Sequence, residues 1–240
     1  MKEIYVDNIR IIHFVEIDST NREAMKRHDL SHLSVIMADR QSGGRGRFGR
    51  SFFSPDGGLY MSVVLEPERV KCGLAFCTAA AALSVKEAVL LVSGKETELK
   101  WVNDLTVNQK KVCGILTEAR TENGEVSRVV VGIGINLKSC DFPDDIKDRA
   151  AAIDYSGNRA ELATAIVKNL KKYTESEREE VAKRYSAELS SVGRSVEVTD
   201  YANPGQRVCG TVLGVDSNCF LLIKTDSGET VAVSSGEINN

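Results

Sequence analysis

Short apolar runs separated by polar turns dominate the first third of the chain, and they predict strands joined by few helices. The run from Ile9 to Ile17 is rich in β-branched residues and predicts a strand. The polar segment 18–21 follows it and supplies capping side chains for a helix that ends near His28. Residues 34–39 predict a short buried strand, and residues 59–66 predict a further strand with alternating apolar and polar positions.

Apolar residues recur at helical spacing in two longer segments. Residues 72–92 are rich in alanine and predict a core helix. Residues 158–189 predict a second long helix, whose charge run at 175–180 faces solvent. Residues 138–158, which precede that helix, predict a polar loop. The other strands of this part of the chain are predicted at 97–101, in a hairpin over 105–118 that turns at 108–110, and at 126–137 after a turn at 122–125.

The pattern changes from Arg194 onward to short alternating strands. Turns at 203–205, 216–218 and 226–228 separate these strands, which together predict a small β-barrel. This part of the chain holds three basic and six acidic residues, a balance that disfavours nucleic-acid binding by the barrel.

Composition and charge narrow the class of protein. The chain of 240 residues is 42% hydrophobic and 27% charged, which is ordinary for a globular protein with a substantial core. Its net charge of −3 does not suit a protein whose main partner is nucleic acid. There is no N-terminal basic region before an apolar run, and no apolar run approaches the roughly 20 residues needed to cross a bilayer. We therefore expect a soluble, cytoplasmic protein.

The segment Gly43–Arg50 combines backbone freedom with fixed positive charge. Its four glycines allow backbone N–H groups to approach an anion closely. Arg45, Arg47 and Arg50 add guanidinium groups that match phosphate oxygens in pairs. The pattern predicts a phosphate-binding loop. A solvated flexible loop, or an arginine–glycine segment that holds RNA backbone, fits the same residues when they are taken alone.

Three further motifs favour the phosphate-binding interpretation. Asn103 and Asp104 follow a predicted strand and carry the oxygen ligands that Mg²⁺ accepts. Lys111 lies on the returning strand, where its ammonium group can reach a carboxylate or an α-phosphate. Gly132 and Gly134 lie inside a predicted strand and indicate that another group approaches that strand closely.

The six cysteines are scattered without a Cys-x-x-Cys pair, which indicates reduced thiols rather than a zinc site. Cys113 lies two residues from Lys111, so a nucleophilic role has to be considered. Its position between Val112 and Gly114 favours a buried packing role instead. The three histidines form no cluster, and none is predicted to be catalytic.

Four segments, at 43–50, 100–104, 111–115 and 132–136, occur in an order that resembles the biotin protein ligases. The resemblance covers nearly the whole chain, because it also includes the segments 19–21, 38–41, 53–55 and 235–237. It implies an α+β fold in which helices flank a mixed, mostly antiparallel sheet, similar to class II aminoacyl-tRNA synthetases. It also implies a catalytic domain at 1–190 and a C-terminal SH3-like barrel at 191–240.

The resemblance implies an ATP-dependent ligase that uses Mg²⁺ and forms biotinyl-5′-AMP. The biotinyl group then passes to a lysine of a biotin carboxyl carrier domain, and no nucleic-acid or membrane partner is expected. Arg47 and Lys111 are the implied catalytic residues. The implied biotin-binding residues are Ser19, Thr20, Asn21, Gln41, Arg45, Gly46, Arg47, Lys111 and Gly114; those for ATP are Arg47, Arg50, Asn103, Lys111 and Asn136; those for the metal are Asp104 and Asn136.

Two positions depart from the family pattern. Val102 stands where proline is usual, which bears on the geometry of the two residues that follow it. Phe48 replaces a basic or aliphatic residue, so the loop loses a charge or gains a ring that can stack on adenine.

Three other functions are consistent with parts of the pattern. A lipoate or octanoate ligase shares the architecture, but the loop and the segment 132–136 favour biotin. An RNA-binding module is disfavoured by the acidic charge. A repressor-ligase carries an N-terminal winged helix-turn-helix, for which a strand that begins by Ile9 leaves no room. Both a monomer and a homodimer fit the sequence.

Overall fold

The computed structural model describes residues 1–203 and 205–239. In this described part of the chain, the larger sheet has eight strands, and its one parallel pair is β2 and β3, so the prediction of a mixed, mostly antiparallel sheet is confirmed. The strands are β1 (Lys2–Val6), β2 (Ile9–Ile17), β3 (Val35–Gln41), β4 (Leu59–Leu65), β5 (Glu98–Lys100), β6 (Asp104–Val107), β7 (Lys110–Glu122) and β8 (Glu125–Ile135), in the order β1-β2-β3-β4-β8-β7-β6-β5.

Four α-helices pack on this sheet or beside it: α1 (Thr20–Lys26), α2 (Cys77–Ser93), α3 (Arg159–Thr174) and α4 (Arg178–Glu188). The prediction of one helix over 158–189 is wrong, because the chain leaves the helical conformation between α3 and α4. Glu177 there is extended, with φ −68° and ψ 148°. The predicted core helix at 72–92 begins later than expected, since Gly73 adopts φ 84° ahead of a short 3₁₀ turn at Leu74–Phe76.

Strand β4 lies at the centre of the sheet and is buried at all seven positions. The predicted alternation of exposed and buried residues along it is therefore wrong. Its two faces pack against different groups: Met61 and Val63 belong to the core beneath α2, and Val64 packs with Ala24 of α1. Apolar and small residues on both faces are what a doubly covered strand requires.

The helical stretch Leu74–Ser93 has 20 residues and a mean hydropathy of 1.7, so by length and composition it could span a membrane. The expectation that no apolar run approaches this length is wrong. The stretch is largely buried inside the protein, and the fully buried residues Phe76, Leu83 and Val85 place it in the core.

Tight turns join the antiparallel strands. Asn108 and Gln109 both have positive φ (49° and 65°), as do Asn123 and Gly124 (52° and 84°), which confirms both predicted hairpin turns. Strand β1 was not predicted. A local signal for it exists in Asp7-Asn8, whose positive φ values of 50° and 66° join β1 to β2.

The C-terminal strands form a separate five-stranded antiparallel sheet. They are β9 (Ser195–Asp200), β10 (Arg207–Val215), β11 (Leu221–Lys224), β12 (Thr230–Val233) and β13 (Gly236–Asn239), in the order β12-β11-β10-β9-β13. Within residues 1–203 and 205–239 no ladder joins β12 to β13, so the sheet is not closed into the predicted barrel. The predicted turn at 203–205 lies partly outside the described residues.

The C-terminal sheet is attached to the rest of the protein through α4. Ser186 on this helix accepts a hydrogen bond from the backbone N–H of Val215, at 3.0 Å. Leu189 pairs with Leu99 of β5 through an isolated parallel bridge. These contacts bring the start of β13 close to the loop at 43–50.

Candidate active site

One cavity lies between the glycine–arginine loop, the N-terminus of α1, strands β7 and β8, and the C-terminal sheet. Its lining contains every predicted site residue except Asn136: Ser19, Thr20, Asn21, Gln41, Arg45, Gly46, Arg47, Arg50, Asn103, Asp104, Lys111 and Gly114. Residues that the sequence places as far apart as Ser19 and Glu237 share this cavity.

Glycines on the sheet make room for side chains from other elements. Gly114 and Gly134 lie opposite each other on β7 and β8. A Cβ atom at Gly134 would lie 2.5 Å from Cε1 of Phe52, so the ring occupies the space above the glycine pair. A Cβ atom at Gly132 would overlap the side-chain amide of Asn21. The close approach that glycines in this strand predicted is therefore confirmed.

The N-terminus of α1 presents buried polar side chains to the cavity. Ser19 caps the helix by accepting a hydrogen bond from the backbone N–H of Arg22, at 3.5 Å. Ser19, Thr20 and Asn21 are 2%, 4% and 4% exposed. Ser62, a fully buried residue of β4 that the sequence did not indicate, lies 2.8 Å from Oγ1 of Thr20 and 2.6 Å from Oδ1 of Asn21. Such deeply buried polar groups require partners, which this cluster supplies.

Gln41 connects α1 to the far end of the loop. Its Oε1 accepts from the backbone N–H of Thr20 at 2.8 Å, and its Nε2 donates to Oγ of Ser54 at 3.0 Å. Ser54 in turn donates to the backbone carbonyl of Phe52, at 2.8 Å. Because a backbone N–H can only donate, the Thr20 contact fixes the orientation of the Gln41 amide.

Arg47 is half-buried and has no ion-pair partner among residues 1–203 and 205–239. It donates through Nη2 to Oγ of Ser235 at 2.9 Å, and its guanidinium lies 4.9 Å from the centre of the Phe48 ring. Burial lowers the pKa of Arg47, although the negative charge of the Asp104 carboxylate acts to raise it. A desolvated cation with a neutral partner is suited to receive an anion.

Arg50 and Phe48 fix the loop to the C-terminal sheet. Arg50 donates to Oε2 of Glu237 at 3.1 Å and to the hydroxyl of Tyr201 at 3.0 Å. The ring of Phe48 meets the ring of Tyr201 edge-on at 4.9 Å, so Phe48 has a protein partner at the position expected to stack on adenine. Tyr201 also donates to Glu237, at 2.7 Å, and nothing local in the sequence indicates its role. The hydrogen bond from Tyr201 lowers the pKa of Glu237. Burial acts in the opposite direction, but Arg50 lowers the pKa further, so it lies below its usual value.

Lys111 forms an ion pair with Asp104, with 2.7 Å between Nζ and Oδ1. The pair is not aligned as a hydrogen bond, since this buried oxygen of Asp104 has no hydrogen-bond partner. The ammonium group also lies 5.8 Å from the centre of the Phe52 ring. Asn103 lines the cavity, and its Nδ2 donates to the carbonyl of Ile115 at 2.8 Å. Asn103 and Asp104 thus reach the cavity with Val102 in place of proline.

Asn136 is the predicted site residue that the structure does not bring into the cavity. Its Nδ2 donates to the backbone carbonyl of Ala151 at 2.9 Å, and its own N–H donates to the carbonyl of Val112 at 2.8 Å. The residue therefore fastens the end of β8 to the loop that follows it. Asn136 is thus not among the residues that line the cavity, whereas Asp104 is.

Two other residues near the cavity behave as buried groups. Cys113 is 1% exposed, and burial raises the pKa of its thiol, which confirms the packing role and leaves no thiolate for nucleophilic attack. Trp101 is 3% exposed and lines the cavity, as a packed residue would. Its indole N–H, however, is buried without a hydrogen-bond partner in the described chain, which the sequence did not predict.

The sequence pattern of the biotin/lipoate A/B protein ligase family matches residues 13–136, which is more than half of the chain. The chain belongs to this family. Residues 192–239 match a second pattern, described as the biotin protein ligase C-terminal domain. The ligase family thus accounts for the elements on both sides of the cavity.

Individual relatives agree with the family assignment. The bifunctional ligase/repressor BirA of Bacillus spizizenii is 31% identical over 223 residues, covering 88% of this chain and 68% of the relative. A biotin–[acetyl-CoA-carboxylase] ligase of Paracoccus denitrificans is 40% identical over 123 residues, covering 50% of this chain and 51% of the relative. A biotin protein ligase from Aquifex aeolicus, solved in complex with biotin and ATP, is 30% identical and has a TM-score of 0.80, covering 95% of this chain and 97% of the other.

Proposed function

We propose that this enzyme activates biotin with ATP as biotinyl-5′-AMP and transfers the biotinyl group to a lysine of a biotin carboxyl carrier domain of a biotin-dependent carboxylase. The observation that carries the proposal is the shared cavity. It holds a buried hydroxyl–amide cluster on α1 together with the desolvated guanidinium of Arg47 and the ammonium group of Lys111. A neutral polar head group and an anion are the two chemistries that such a cavity can bind side by side.

The hydrogen-bond polarity of the cluster suits a cyclic urea, in which one carbonyl is flanked by two N–H groups. The Ser19 hydroxyl accepts from the helix and has no acceptor for its own proton in the described chain, so it is available to a ligand carbonyl. Oγ1 of Thr20 and Oδ1 of Asn21 keep lone pairs that can accept from ligand N–H groups. Gln41 holds Thr20 in place through the backbone.

The first chemical step joins the biotin carboxylate to the α-phosphorus of ATP. A new P–O bond forms, the bond to pyrophosphate breaks, and a mixed anhydride results. Arg47 and Lys111 are the catalytic residues of this proposal, because their charges stabilise the negative charge that develops on the phosphate oxygens. We further propose that Arg45, Gly46 and Gly114 contact biotin and that Arg50 and Asn103 contact the nucleotide, since all five residues line the cavity.

In the second step the acceptor lysine attacks the acyl carbon as a neutral amine. The C–N bond forms, the bond between the acyl carbon and the phosphate oxygen breaks, the amine nitrogen loses a proton to solvent, and AMP leaves with its charge held by the same cations. Water would hydrolyse the anhydride, so the closed loop over the cavity also protects the intermediate.

Asp104 fits a role in holding Mg²⁺, because its carboxylate lines the cavity and its Oδ1 makes an ion pair with Lys111 but no hydrogen bond. The metal would supply positive charge to the ATP phosphates. Asn136 remains a proposed ATP and metal ligand on the basis of the family resemblance alone, since it does not line the cavity and its Nδ2 donates to the carbonyl of Ala151.

The C-terminal segment 191–240 is proposed as a second, SH3-like domain that completes the site formed by residues 1–190. It supplies Tyr201, Ser235 and Glu237 to the loop. We propose that the enzyme works in the cytoplasm, as a monomer or a homodimer, without a nucleic-acid partner.

Lipoate is the alternative acyl substrate that an experiment has to distinguish from biotin. Its dithiolane ring has no N–H or C=O group, so it would leave the buried hydroxyls and amides of α1 unpaired, at about 1–3 kcal/mol for each group. Isothermal titration with biotin and with lipoate tests this directly. Biotin should bind and lipoate should not; equal binding of the two acids would contradict the proposed substrate.

A further inference from the structure

Glu118 on β7 lies just outside the cavity, between two of the residues that line it. One carboxylate oxygen, Oε2, accepts from Nδ2 of Asn21 at 2.8 Å. The other, Oε1, lies 3.4 Å from Nη1 of Arg45 in the glycine–arginine loop. The side chain of Glu118 is 28% exposed and that of Arg45 is 47% exposed, so the contact is made at the rim of the site. A single carboxylate therefore touches both α1 and the loop.

The contact with Glu118 determines what Asn21 can offer to a ligand. The side-chain amide has two N–H bonds; Nδ2 donates to Glu118 and also to the backbone carbonyl of Leu116, at 3.2 Å. Both partners can only accept when the carboxylate is ionised, so the amide cannot be turned around. Its Oδ1 accepts from Ser62 and keeps one lone pair. Asn21 is thereby fixed as an acceptor of a ligand N–H group.

The contact with Arg45 ties the same carboxylate to the position of the loop. The loop lies over the cavity, and Arg45 lines it. A ligand N–H that donates to Oδ1 polarises the Asn21 amide and strengthens its N–H bond to the carboxylate. A charged carboxylate held at that position attracts Arg45 and favours the closed loop.

We propose that Glu118 is a positioning residue that couples recognition of the biotin ureido ring by Asn21 to closure of the glycine–arginine loop through Arg45. The inference rests on the proposed function and adds to it a residue that links biotin recognition to closure of the loop. Because such coupling is reciprocal, weakening the link on the Arg45 side must weaken biotin binding as well.

The test compares Glu118→Gln with wild type. Glutamine keeps the shape and can still accept from Asn21, but it loses the charge that attracts Arg45. Biotin should bind about fivefold or more weakly by isothermal titration, the lower end of typical coupling effects. Biotin alone should also protect Arg47 and Arg50 from trypsin less than in wild type, a readout that a merely structural role would not move.

Three further variants complete the experiment. Arg45→Gln should reproduce the loss, and the double variant should be no weaker than either single variant. Glu122→Gln is the matched control, because Glu122 lies on the same strand but does not line the cavity. Its carboxylate forms an ion pair with Arg120, with 3.1 Å between Oε1 and Nε. This variant should bind biotin as wild type does. If Glu118→Gln does not fold, Arg45→Gln removes the same ion pair from the other side and should weaken biotin binding.

The outcomes separate the inference from the function. Wild type that fails to bind biotin contradicts the proposed function. Wild type that binds, with Glu118→Gln binding equally well and keeping its loop protection, overturns the inference alone. Additive losses in the double variant would likewise overturn it, since Glu118 and Arg45 would then act independently.

Discussion

Arg47 and Lys111, the two cations that the site proposal depends on most, are held in different ways. Lys111 already has a counter-charge in Asp104 at 2.7 Å, whereas Arg47 has no ion-pair partner in the described part of the chain and donates to the neutral hydroxyl of Ser235 at 2.9 Å. An incoming phosphate therefore competes with a carboxylate for Lys111 but displaces no ion pair at Arg47. We expect Lys111 to act mainly in forming the adenylate and Arg47 to act also in retaining it.

Replacing Lys111 with alanine should abolish biotin-dependent pyrophosphate release and leave the fold intact. The side chain is 36% exposed, and a partly exposed ion pair contributes only about 0–1 kcal/mol to stability. Pyrophosphate release and the melting temperature would both be measured, with Lys110→Ala, an exposed neighbour in the same hairpin, as the control. Near-normal release in Lys111→Ala would remove this residue from the mechanism.

Replacing Arg47 with glycine should allow some adenylate to form but let it escape. Lost charge-assisted hydrogen bonds cost about 1.5–3 kcal/mol each, and such losses appear mainly in off-rates. Biotin incorporated into a carrier domain and into albumin in one mixture gives the ratio of specific to stray labelling, which should fall. Arg40→Gly, which removes an exposed arginine paired with Glu16, is the control. An unchanged ratio with both rates lowered equally would assign retention to other residues.

Among the structural elements, the glycine–arginine loop is held at both of its ends. Gln41 and Ser54 fix its base to α1, while Arg50 and Phe48 contact the C-terminal sheet through Tyr201. The middle of the loop holds Arg45 and Arg47, whose proposed partners include the substrates. Substrate binding should therefore order the loop beyond what the protein contacts achieve.

Limited trypsin digestion should cleave the free enzyme at Arg45, Arg47 or Arg50 faster than the enzyme with biotin and ATP. In the proposed complex, the bound ligands add contacts to those that Arg45, Arg47 and Arg50 already make with the protein. Cleavage sites would be read by mass spectrometry, and an equal concentration of lipoate would serve as the control ligand. Unaltered cleavage with biotin and ATP would mean that the loop does not bind them.

The contact between the loop and Glu237 should depend on pH. The pKa of Glu237 in the folded state lies below the usual value of 4.5, chiefly because Tyr201 donates to its charged form. Its stabilising contribution is therefore complete above pH 4.5 and is lost as the pH falls through the lower folded-state pKa. Wild type should melt at a higher temperature than Glu237→Gln at pH 6, and the difference should shrink at pH 3. A difference that stays constant would show that the Glu237 charge does not stabilise the fold.

How far the sequence predicts these elements depends on where the signal resides. The turns at Asn108 and Asn123 and the cap at Ser19 are encoded by adjacent residues, and they form as predicted. The burial of β4 on both faces depends on helices that are distant in the sequence, so local alternation could not reveal it. The local sequence also gives no signal for the roles of Tyr201, Ser62 and Glu118, because each contacts a partner more than 30 residues away along the chain.

In the whole molecule, the loop is the place where the two sheets meet, and the proposed site lies at that junction. The larger sheet supplies Lys111 and the cavity-lining glycines Gly114, Gly132 and Gly134. The C-terminal sheet supplies the partners of Arg47 and Arg50. Family membership accounts for both parts. We propose that this junction activates biotin in particular, through ATP.

ATP–pyrophosphate exchange tests that claim most directly, because it reports formation of the acyl-adenylate without needing an acceptor protein. We expect exchange that requires biotin, is absent with lipoate or octanoate, and is lost in Lys111→Ala. Exchange supported equally by lipoate, or no exchange with biotin while biotin is shown to bind, would contradict it.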